Sequence, residues 1–263
     1  MNSRIKDLKS RGTVDILFVG SSHAYRGFDT RIFTAHAITS FNLGSSAQTP
    51  LQTEVLVERY LDSLSPKLVV YEVYPATFSI DGVESALDLI ANDNNDMQSV
   101  RMALRLNHIE VYNTLLFGLF RDLFDLNSDF VESTQNGQDV YINGGFVEHQ
   151  LSYFDNSAHY SSRTWKLRPY HCRAFERILG KLARRQIPFV LVQVPVTREL
   201  YDSYANNSEA DEYFMSMGSY YNFNELISLS TTEHFFDADH LNQNGVLIFN
   251  NELLKILQDD NMI

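Results

Sequence analysis

The chain is 263 residues long, and with 44% hydrophobic and 13% aromatic residues it has ample side chains for a sizeable core and is unlike a disordered chain. Acidic residues outnumber basic residues by 33 to 21, which gives a net charge of -12. No basic stripe reverses this charge locally, so the surface would repel the phosphates of nucleic acid and anionic lipid, and no nucleic-acid partner is expected.

The N-terminal residues 1–15 are polar and lack the apolar stretch of a signal peptide. Taken by itself, such a start predicts a cytoplasmic protein. If the sequence is the soluble part of a longer protein, the cell envelope or periplasm is expected instead, so the location stays open. No run of about 18 apolar residues occurs, and the sequence therefore predicts no transmembrane segment.

Short apolar runs near the N-terminus predict strands that are buried on both faces of a parallel sheet. They lie at residues 14–20, 41–44 and 67–75, and the last of them stops at Pro75. Thr49 and Pro50 suit the N-cap and first turn of a helix, whose apolar residues continue at helical spacing to residue 65. This stretch predicts the strand–helix alternation of an α/β protein.

Residues 81–165 interrupt this alternation. The part up to about residue 130 predicts helices broken by a polar tract, and 131–165 is predicted to be irregular because it is rich in Asn, Ser and Gly with scattered aromatic residues. We interpret 81–165 as an insertion over the sheet, with a separate subdomain as the alternative. Because it leaves the sheet at the carboxyl end of a strand, where open α/β sheets bind ligands, it is expected to lie beside the functional site and to influence substrate choice.

The alternation resumes after the insertion. Residues 167–185 predict a helix, and the single cysteine, Cys172, is expected to pack within it, so the chain has no internal disulfide and no cysteine-based zinc site. A buried strand at 187–195 and two short helices follow, and Asn242 can cap a last helix. Residues 1–263 are therefore predicted to form a single α/β domain with a doubly wound parallel sheet and one insertion.

Two short segments at opposite ends of the chain carry groups suited to nucleophilic catalysis. The first, residues 20–23 (GSSH), turns at the end of the first strand and places Ser22 near a helix N-terminus, where free amides can stabilise an oxyanion. A serine needs a histidine as base, and the histidine needs an orienting carboxylate. Asp237 and His240 supply both, because an aspartate three residues before a histidine can turn back to its Nδ1. Asp239, directly beside His240, is expected to point away.

Together these segments resemble the motifs of the SGNH hydrolase superfamily, the GDSL-type esterases and acyltransferases. The first family block, Gly-Asp-Ser, is similar to residues 20–22, the glycine of the second block to Gly44, and the last block, Asp-x-x-His, to Asp237 and His240. The resemblance implies a flavodoxin-like three-layer α/β/α fold, with Ser22 as nucleophile, His240 as base and Asp237 as its orienting carboxylate. It also implies that the amides of Ser22 and Gly44 form the oxyanion hole, and that neither a metal nor a cofactor takes part.

Two blocks depart from the family pattern. Ser21 stands where the first block has aspartate, and residues 72–77 (EVYPAT) lack the oxyanion-hole asparagine of the third block, for which the Tyr74 hydroxyl is a candidate substitute. An opening Gly-Ser-Ser-His is similar to envelope-associated branches of the superfamily, including the lipoteichoic acid D-alanylation and alginate O-acetylation proteins. This similarity implies hydrolysis or acyl transfer on an acylated small molecule, a glycan or another envelope polymer. The alternative is a binding or assembly protein of the cell envelope that keeps the fold without the activity.

The proposed catalytic residues also have simpler interpretations. Ser22 could only cap a helix, and Asp237 and His240 could belong to a surface loop. Asp237, Asp239 and His240 could instead bind a metal ion, although no further ligand cluster lies near them in the sequence. If His240 is the base of an esterase, the rate should rise with pH through a pKa of about 6–7.

Residues around the motifs have two interpretations each. His23 and Arg26 are expected either to face the substrate or to pair with local acids such as Asp29. The aromatic residues of the insertion either form a carbohydrate-stacking surface or, more commonly, anchor the segment to the core; they include Tyr141, Phe146, Tyr153, Phe154 and Trp165.

Overall fold

The computed structural model describes residues 2–126, 131–155 and 159–263. Its strands are β1 (Ile16–Val19), β2 (Ser40–Asn42), β3 (Leu68–Glu72), β4 (Gln135–Asn136), β5 (Asp139–Ile142), β6 (Phe146–His149), β7 (Phe189–Gln193) and β8 (Tyr220–Asn222). Its helices are α1 (Asn2–Ser10), α2 (Ser22–Gly27), α3 (Thr30–Ala35), α4 (Pro50–Leu64), α5 (Pro75–Ser79), α6 (Val83–Asn92), α7 (Met97–Leu106), α8 (Ile109–Leu123), α9 (Pro169–Arg184), α10 (Arg198–Asp202), α11 (Asn207–Met215), α12 (Phe223–Leu226), α13 (Thr231–His234) and α14 (Gln243–Asp259).

Five of these strands form a parallel sheet in the spatial order β2-β1-β3-β7-β8. If these five strands are numbered 1 to 5 along the chain, their spatial order is 2-1-3-4-5, which is the flavodoxin-like order. The predicted fold class is therefore confirmed, and all four predicted strands are present. The fifth strand, β8, escapes prediction because it has only 3 residues and lies half-buried at the sheet edge, without the apolar run of an inner strand.

The two faces of the sheet carry separate apolar clusters, which makes the fold three-layered. Successive side chains of a strand point to opposite faces, so Leu17 and Val69 pack with α4 and α9. Phe18 and Val70 point the other way and pack with α2, α3 and α14. No helix in the described ranges combines the length and the apolar composition that crossing a bilayer requires.

The segment 81–165 packs against the helical layer that contains α4. Its helices α6, α7 and α8 contribute Leu89, Met102 and Val111 to the same apolar cluster as α4, so removing the segment would expose buried side chains. The sequence predicts irregular chain over 131–165, but within it β4, β5 and β6 form an antiparallel sheet, so the expectation is wrong for residues 135–149. The overlooked signal is Gly137, which opens the two-residue turn between β4 and β5 with a φ of +62°, a position that favours glycine in hairpins.

The turn between β5 and β6 joins this antiparallel sheet to the main sheet. The Gly144 carbonyl accepts the amide of Asn42, the last residue of β2, at 2.7 Å. Gly145 has a φ of +89°, and a side chain there would collide with the Asn42 carbonyl oxygen, so the close approach requires glycine. The guanidinium of Arg4 on α1 donates to the Gly145 carbonyl at 3.0 and 3.2 Å. These contacts hold the turn beside the carboxyl end of β2.

Candidate active site

The turn after β1 places Ser22 at the start of α2. Gly20 has a φ of +145°, which favours glycine, and a side chain there would collide with Glu72. Ser21 then caps α2, because its hydroxyl accepts the His23 amide at 3.2 Å. Ser22 is therefore the first residue of the helix, where backbone amides have no acceptor within the helix itself.

The hydroxyl of Ser22 meets the loop that precedes α14, which comes from the other end of the chain. Its Oγ lies 2.8 Å from Nε2 of His240, and Nδ1 of His240 lies 2.9 Å from Oδ2 of Asp237. With the ring proton on Nδ1, Nε2 accepts the hydroxyl of Ser22 and Asp237 accepts the ring proton. The structure thus brings the three residues into one hydrogen-bonded chain.

The position of Asp239 differs from the expectation that it points away from His240. Oδ1 of Asp237 accepts the amides of Asp239 and His240 at 3.0 and 2.7 Å, which closes residues 237–240 into a tight turn. In this turn Oδ1 of Asp239 lies 3.1 Å from Nδ1 of His240. Two carboxylates therefore face the same edge of the imidazole, and Asp237 makes the shorter contact.

The two carboxylates change the expected charge state of His240. Burial alone would lower the pKa of this imidazole, but the hydrogen bonds and charges of Asp237 and Asp239 outweigh burial and raise the pKa to about 10. Burial would raise the pKa of the Asp239 carboxyl, but the neighbouring imidazoles of His240 and His23 lower it. From the sequence alone we expect a pKa of about 6–7 for His240. The second carboxylate, that of Asp239, raises the expected pKa.

We expect ester hydrolysis to rise with pH through an apparent pKa above about 7, because His240 accepts the proton of Ser22 only when the imidazole is neutral. The Asp239→Asn variant removes one of the two negative charges and should shift the midpoint to lower pH. The measurement is the dependence of kcat/KM on pH between about 5 and 10 for both proteins. A rate that is flat over this range, or that requires added divalent metal, would contradict the serine mechanism.

His23 packs against His240 from the buried side of the site. Its ring lies between those of Tyr74 and His240, with centroid distances of 4.2 and 4.9 Å. Its Nδ1 is 3.3 Å from the Ser21 hydroxyl, while Nε2 has no hydrogen-bond partner among the described residues and lies 3.9 Å from the Asp239 carboxylate. Burial, together with repulsion by His240, lowers the pKa of His23 to about 4, so this imidazole is neutral at neutral pH.

Glu72, the last residue of β3, holds the turn that carries Ser22. Its Oε2 accepts the amide and the hydroxyl of Ser21, each at 2.7 Å, and its Oε1 accepts the Tyr74 amide at 2.6 Å. Burial raises the pKa of the Glu72 carboxyl, and these hydrogen bonds oppose the rise. Ser21, which stands where the SGNH motif that the sequence resembles has aspartate, is thus a partner of Glu72. Glu72 is not among the residues predicted from the sequence, although an acid at the end of a buried apolar strand is a signal of a polar role.

The backbone amides of Ser22 and Gly44, which are predicted to form the oxyanion hole, differ in their hydrogen-bond acceptors. The Ser22 amide opens α2 and has no acceptor within the helix. The Gly44 amide donates to Oδ1 of Asn42 at 3.0 Å, so it must share or release this bond to bind an oxyanion. Gly44 is also tightly enclosed, since a Cβ there would lie 2.7 Å from the Ser21 carbonyl oxygen and 2.9 Å from the Tyr25 nitrogen. The assignment of Gly44 therefore stays a prediction.

Tyr74 and Trp165 form an aromatic wall beside His23. Both are buried, and their rings meet edge to face at a centroid distance of 5.6 Å. Trp165 also stacks on Tyr204, so this aromatic residue of the insertion anchors the segment to the core, as does the buried Phe146. The role of the Tyr74 hydroxyl as an oxyanion donor stays a prediction.

The insertion reaches the site through β5 and β6. Arg26 on α2 donates to the carboxylate of Asp139 on β5 at 2.6 and 2.9 Å, so it pairs with the insertion rather than with a local acid. His149 on β6 also contacts Asp139, at 2.7 Å, and stacks on Phe236 at a centroid distance of 4.2 Å. Phe236 in turn stacks on His240 at 5.5 Å. A continuous set of contacts thus connects the segment 81–165 to His240.

A cleft of about 420 Å³ opens beside the ion pair between Arg26 and Asp139, and its volume is within the range of ligand sites. Neither Ser22 nor His240 lines it. The cleft begins one helical turn away, because Arg26 follows Ser22 by four residues in α2 and Ser45 follows Gly44. Its lining residues are Ser3, Arg4, Tyr25, Arg26, Ser45, Ser46, Glu84, Asp88, Glu132, Ser133, Thr134, Asn136, Asp139, Tyr141 and Val147.

A metal ion fits the same side chains less well. In the described part of the chain, one group of potential ligands, His23, Asp239 and His240, has donor atoms within 4.8 Å of one another. Both ring nitrogens of His240 are engaged, by Ser22 and by Asp237. The remaining pair, His23 and Asp239, is smaller than the set of three or four protein ligands in typical zinc sites. The geometry therefore favours hydrogen-bond chemistry.

Comparisons with known proteins give structural matches alone: no protein-family model and no curated protein matches the chain. It is similar to a GDSL-like lipase from Bacteroides thetaiotaomicron, with 11% identity, a TM-score of 0.48, and 97% of this chain and 95% of that chain covered. A protein from Bacteroides fragilis, provisionally described as an acylhydrolase, has 13% identity, a TM-score of 0.34 and coverage of 99% and 95%. A gut microbial diltiazem-metabolizing enzyme has 13% identity, a TM-score of 0.34 and coverage of 93% and 47%.

Proposed function

We propose that this chain is a serine hydrolase or O-acyltransferase of the SGNH type, which acts on ester-linked acyl groups. The observation that supports the proposal is the hydrogen-bonded chain from Ser22 through His240 to Asp237. Three such groups, drawn from two distant segments, meet the geometric requirement for an activated serine. A serine that only capped a helix would need neither the imidazole nor the carboxylate.

The proposed reaction has two steps. Oγ of Ser22 attacks the carbonyl carbon of the ester while its proton passes to Nε2 of His240, and the tetrahedral oxyanion faces the Ser22 amide. Collapse of this intermediate breaks the ester bond, and the departing alcohol takes the proton from His240, which leaves an acyl-Ser22. Water or a sugar hydroxyl then attacks the acyl carbon and gives its proton to His240; as the bond to Oγ of Ser22 breaks, His240 passes that proton to Oγ and the free enzyme is restored. Asp237 keeps the imidazole in the correct tautomer throughout.

The oxyanion hole limits the expected rate. The sequence lacks the asparagine of the third block, and the Gly44 amide already donates to Asn42. Loss of one oxyanion donor typically costs on the order of 10²–10³ in rate. We therefore expect slow turnover of simple esters. Because a slow enzyme and a non-catalytic envelope protein would both show little turnover, covalent labelling of Ser22 is needed to distinguish them.

We further propose that the substrate is an acylated glycan, because the cleft that begins at Arg26, one helical turn from Ser22, is polar. Among its lining residues, Val147 is the single aliphatic one, whereas hydroxyl, amide and charged groups make up the rest. Four acids and two arginines line the cleft, so its charge is negative and disfavours an anionic polymer. A neutral or cationic sugar that carries a short acyl group fits this lining better than a fatty chain.

Acetyl esters on neutral sugars should therefore be cleaved faster than esters of long fatty acids. A sugar ring can hydrogen-bond to the hydroxyl and carboxylate groups of the cleft, whereas a fatty chain would bury those groups without partners. The measurement compares kcat/KM for acetylated oligosaccharides with that for long-chain p-nitrophenyl esters. A preference for the long chains would contradict the glycan assignment while leaving the serine mechanism intact.

The proposed function is tested with a fluorophosphonate probe, which reacts with activated serines. Intact-mass analysis and peptide mapping should place a single adduct on Ser22. The matched control is the His240→Ala variant, which keeps the serine and removes the base, and which should label far more slowly. If the native chain forms no adduct at Ser22 and cleaves no ester, the non-catalytic envelope protein is the better description.

A further inference from the structure

Helix α8, within the insertion, is apolar on both of its faces. Its inner face packs into the molecule through Val111, Leu115 and Gly118. Its outer face carries large apolar side chains that lie 53–78% exposed and follow each other at helical spacing: Ile109, Leu116, Phe117, Phe120, Leu123 and, at the C-cap, Phe124. A helix with apolar residues on all sides is normally buried on all sides. The outer face of α8 therefore lacks a partner in the described chain.

The exposed area is large for the surface of a monomer. At roughly 150–250 Å² for each large side chain, these exposed fractions leave on the order of 800 Å² of apolar surface on one helix face. The largest apolar patch of a typical monomer is about 300–600 Å², whereas a stable interface buries about 800 Å² on each partner. The outer face of α8 has the size of an interface.

A lipid surface fits this face poorly. Helices that lie in a membrane interface carry many Lys and Arg residues on their polar side, whereas α8 has one basic residue, Arg121. The guanidinium of Arg121 is folded back onto the Asp122 carboxylate and the Asp93 carbonyl, at 2.6 and 2.7 Å. The net charge of -12 would also repel anionic lipid.

We propose that the outer face of α8 is the interface of a homodimer, in which it packs against α8 of a second copy of this chain. A two-fold axis makes the same patch face itself, so an apolar stripe that contains no charged residue, with the exposed Asn113 as its one polar member, is self-complementary. The central residues Leu116, Phe117 and Phe120 would lie nearest the axis and interdigitate with their counterparts, in the manner of ridges and grooves of crossing helices. Phe120 and Phe124, whose rings are 4.3 Å apart, present a preformed aromatic surface to the partner helix.

Sedimentation velocity of the purified chain should give a species of twice the monomer mass of 30.2 kDa. The double variant Leu116→Glu with Phe120→Glu should sediment as a monomer, because it places carboxylates at the centre of the interface. Both side chains are exposed in the monomer and glutamate is a good helix former, so the variant should keep its fold by circular dichroism. The matched control is Leu247→Glu, at a residue that is 53% exposed on α14, which should remain dimeric.

A disulfide test locates the interface without a disruptive substitution. In a Cys172→Ser background, Leu116→Cys should form a covalent dimer on oxidation, whereas Leu247→Cys should not, because only residue 116 lies near its symmetry mate. A native chain that is monomeric at all accessible concentrations would overturn the proposal, and so would a double variant that stays dimeric. A monomer that binds neutral or anionic vesicles through α8 would overturn it in favour of a lipid surface.

Discussion

Replacing Ser22 with alanine should lower kcat for ester hydrolysis by on the order of 10⁴–10⁶ and abolish fluorophosphonate labelling. The reason is that Oγ of Ser22 is the atom that would bond to the acyl carbon, and its distance of 2.8 Å to Nε2 of His240 allows the proton to leave as that bond forms. The measurement is the pre-steady-state and steady-state rate with an activated acetyl ester, together with intact-mass analysis after exposure to the probe.

The control for this variant is Ser63→Ala, which removes an exposed hydroxyl at the end of α4. The Ser63 hydroxyl donates to the Tyr60 carbonyl and touches no residue of the site, so the rate should stay that of the native chain. The free energy of unfolding of both variants should equal that of the native chain to within about 0.5 kcal/mol. Native-like hydrolysis by the Ser22→Ala variant would rule out Ser22 as nucleophile.

The Asp237→Asn variant should lower kcat by about 10³–10⁴, a larger loss than that of Asp239→Asn. An asparagine presents an N–H to Nδ1 of His240 and favours the tautomer with the proton on Nε2, which cannot accept the proton of Ser22. Asp239 lies slightly farther from Nδ1, at 3.1 Å against 2.9 Å for Asp237, and its second oxygen faces His23. Losing Asp239 should therefore mainly shift the pH profile.

The two variants are isosteric, so each serves as the control for the other. The comparison uses kcat and kcat/KM at a pH above the midpoint of each profile, so that the protonation of His240 does not obscure the effect on its tautomer. If Asp239→Asn gives the greater loss on this plateau, the orienting carboxylate is Asp239 and the assignment of Asp237 is wrong.

The parts of the site that the sequence predicts depend on interactions between residues that are close together in the chain. The pattern GSSH after an apolar run predicts a strand end, a cap and a helix start, all of which depend on neighbouring residues. Asp237 lies three residues before His240, so a single turn can join them. By contrast, Glu72 is a lone acid in a strand, and nothing local shows that its carboxylate meets the Ser21 turn.

The strand β8 and the β4–β6 sheet are not predicted from the sequence, because their residues carry only weak local signals of strand structure. The strand β8 is held by its pairing with β7 rather than by an apolar run of its own. The strands of the β4–β6 sheet have 2–4 residues and mix polar with apolar side chains, so none of them has a long apolar run; the sheet depends on glycine turns and on contacts with β2. In both cases tertiary pairing outweighs residue propensity.

The sequence by itself determined the α/β class, the inner strands of the parallel sheet, and the two segments that hold Ser22 and His240, because apolar periodicity and turn chemistry act over a few residues. Only the tertiary structure decided which polar atoms meet. The contact between Ser22 and His240 joins residues 218 positions apart, and it depends on the order of the strands. The approach of Asp239 to His240 and the bond from the Gly44 amide to Asn42 depend on how each turn closes. Such distances are set by packing of the whole chain, to which a local pattern is blind.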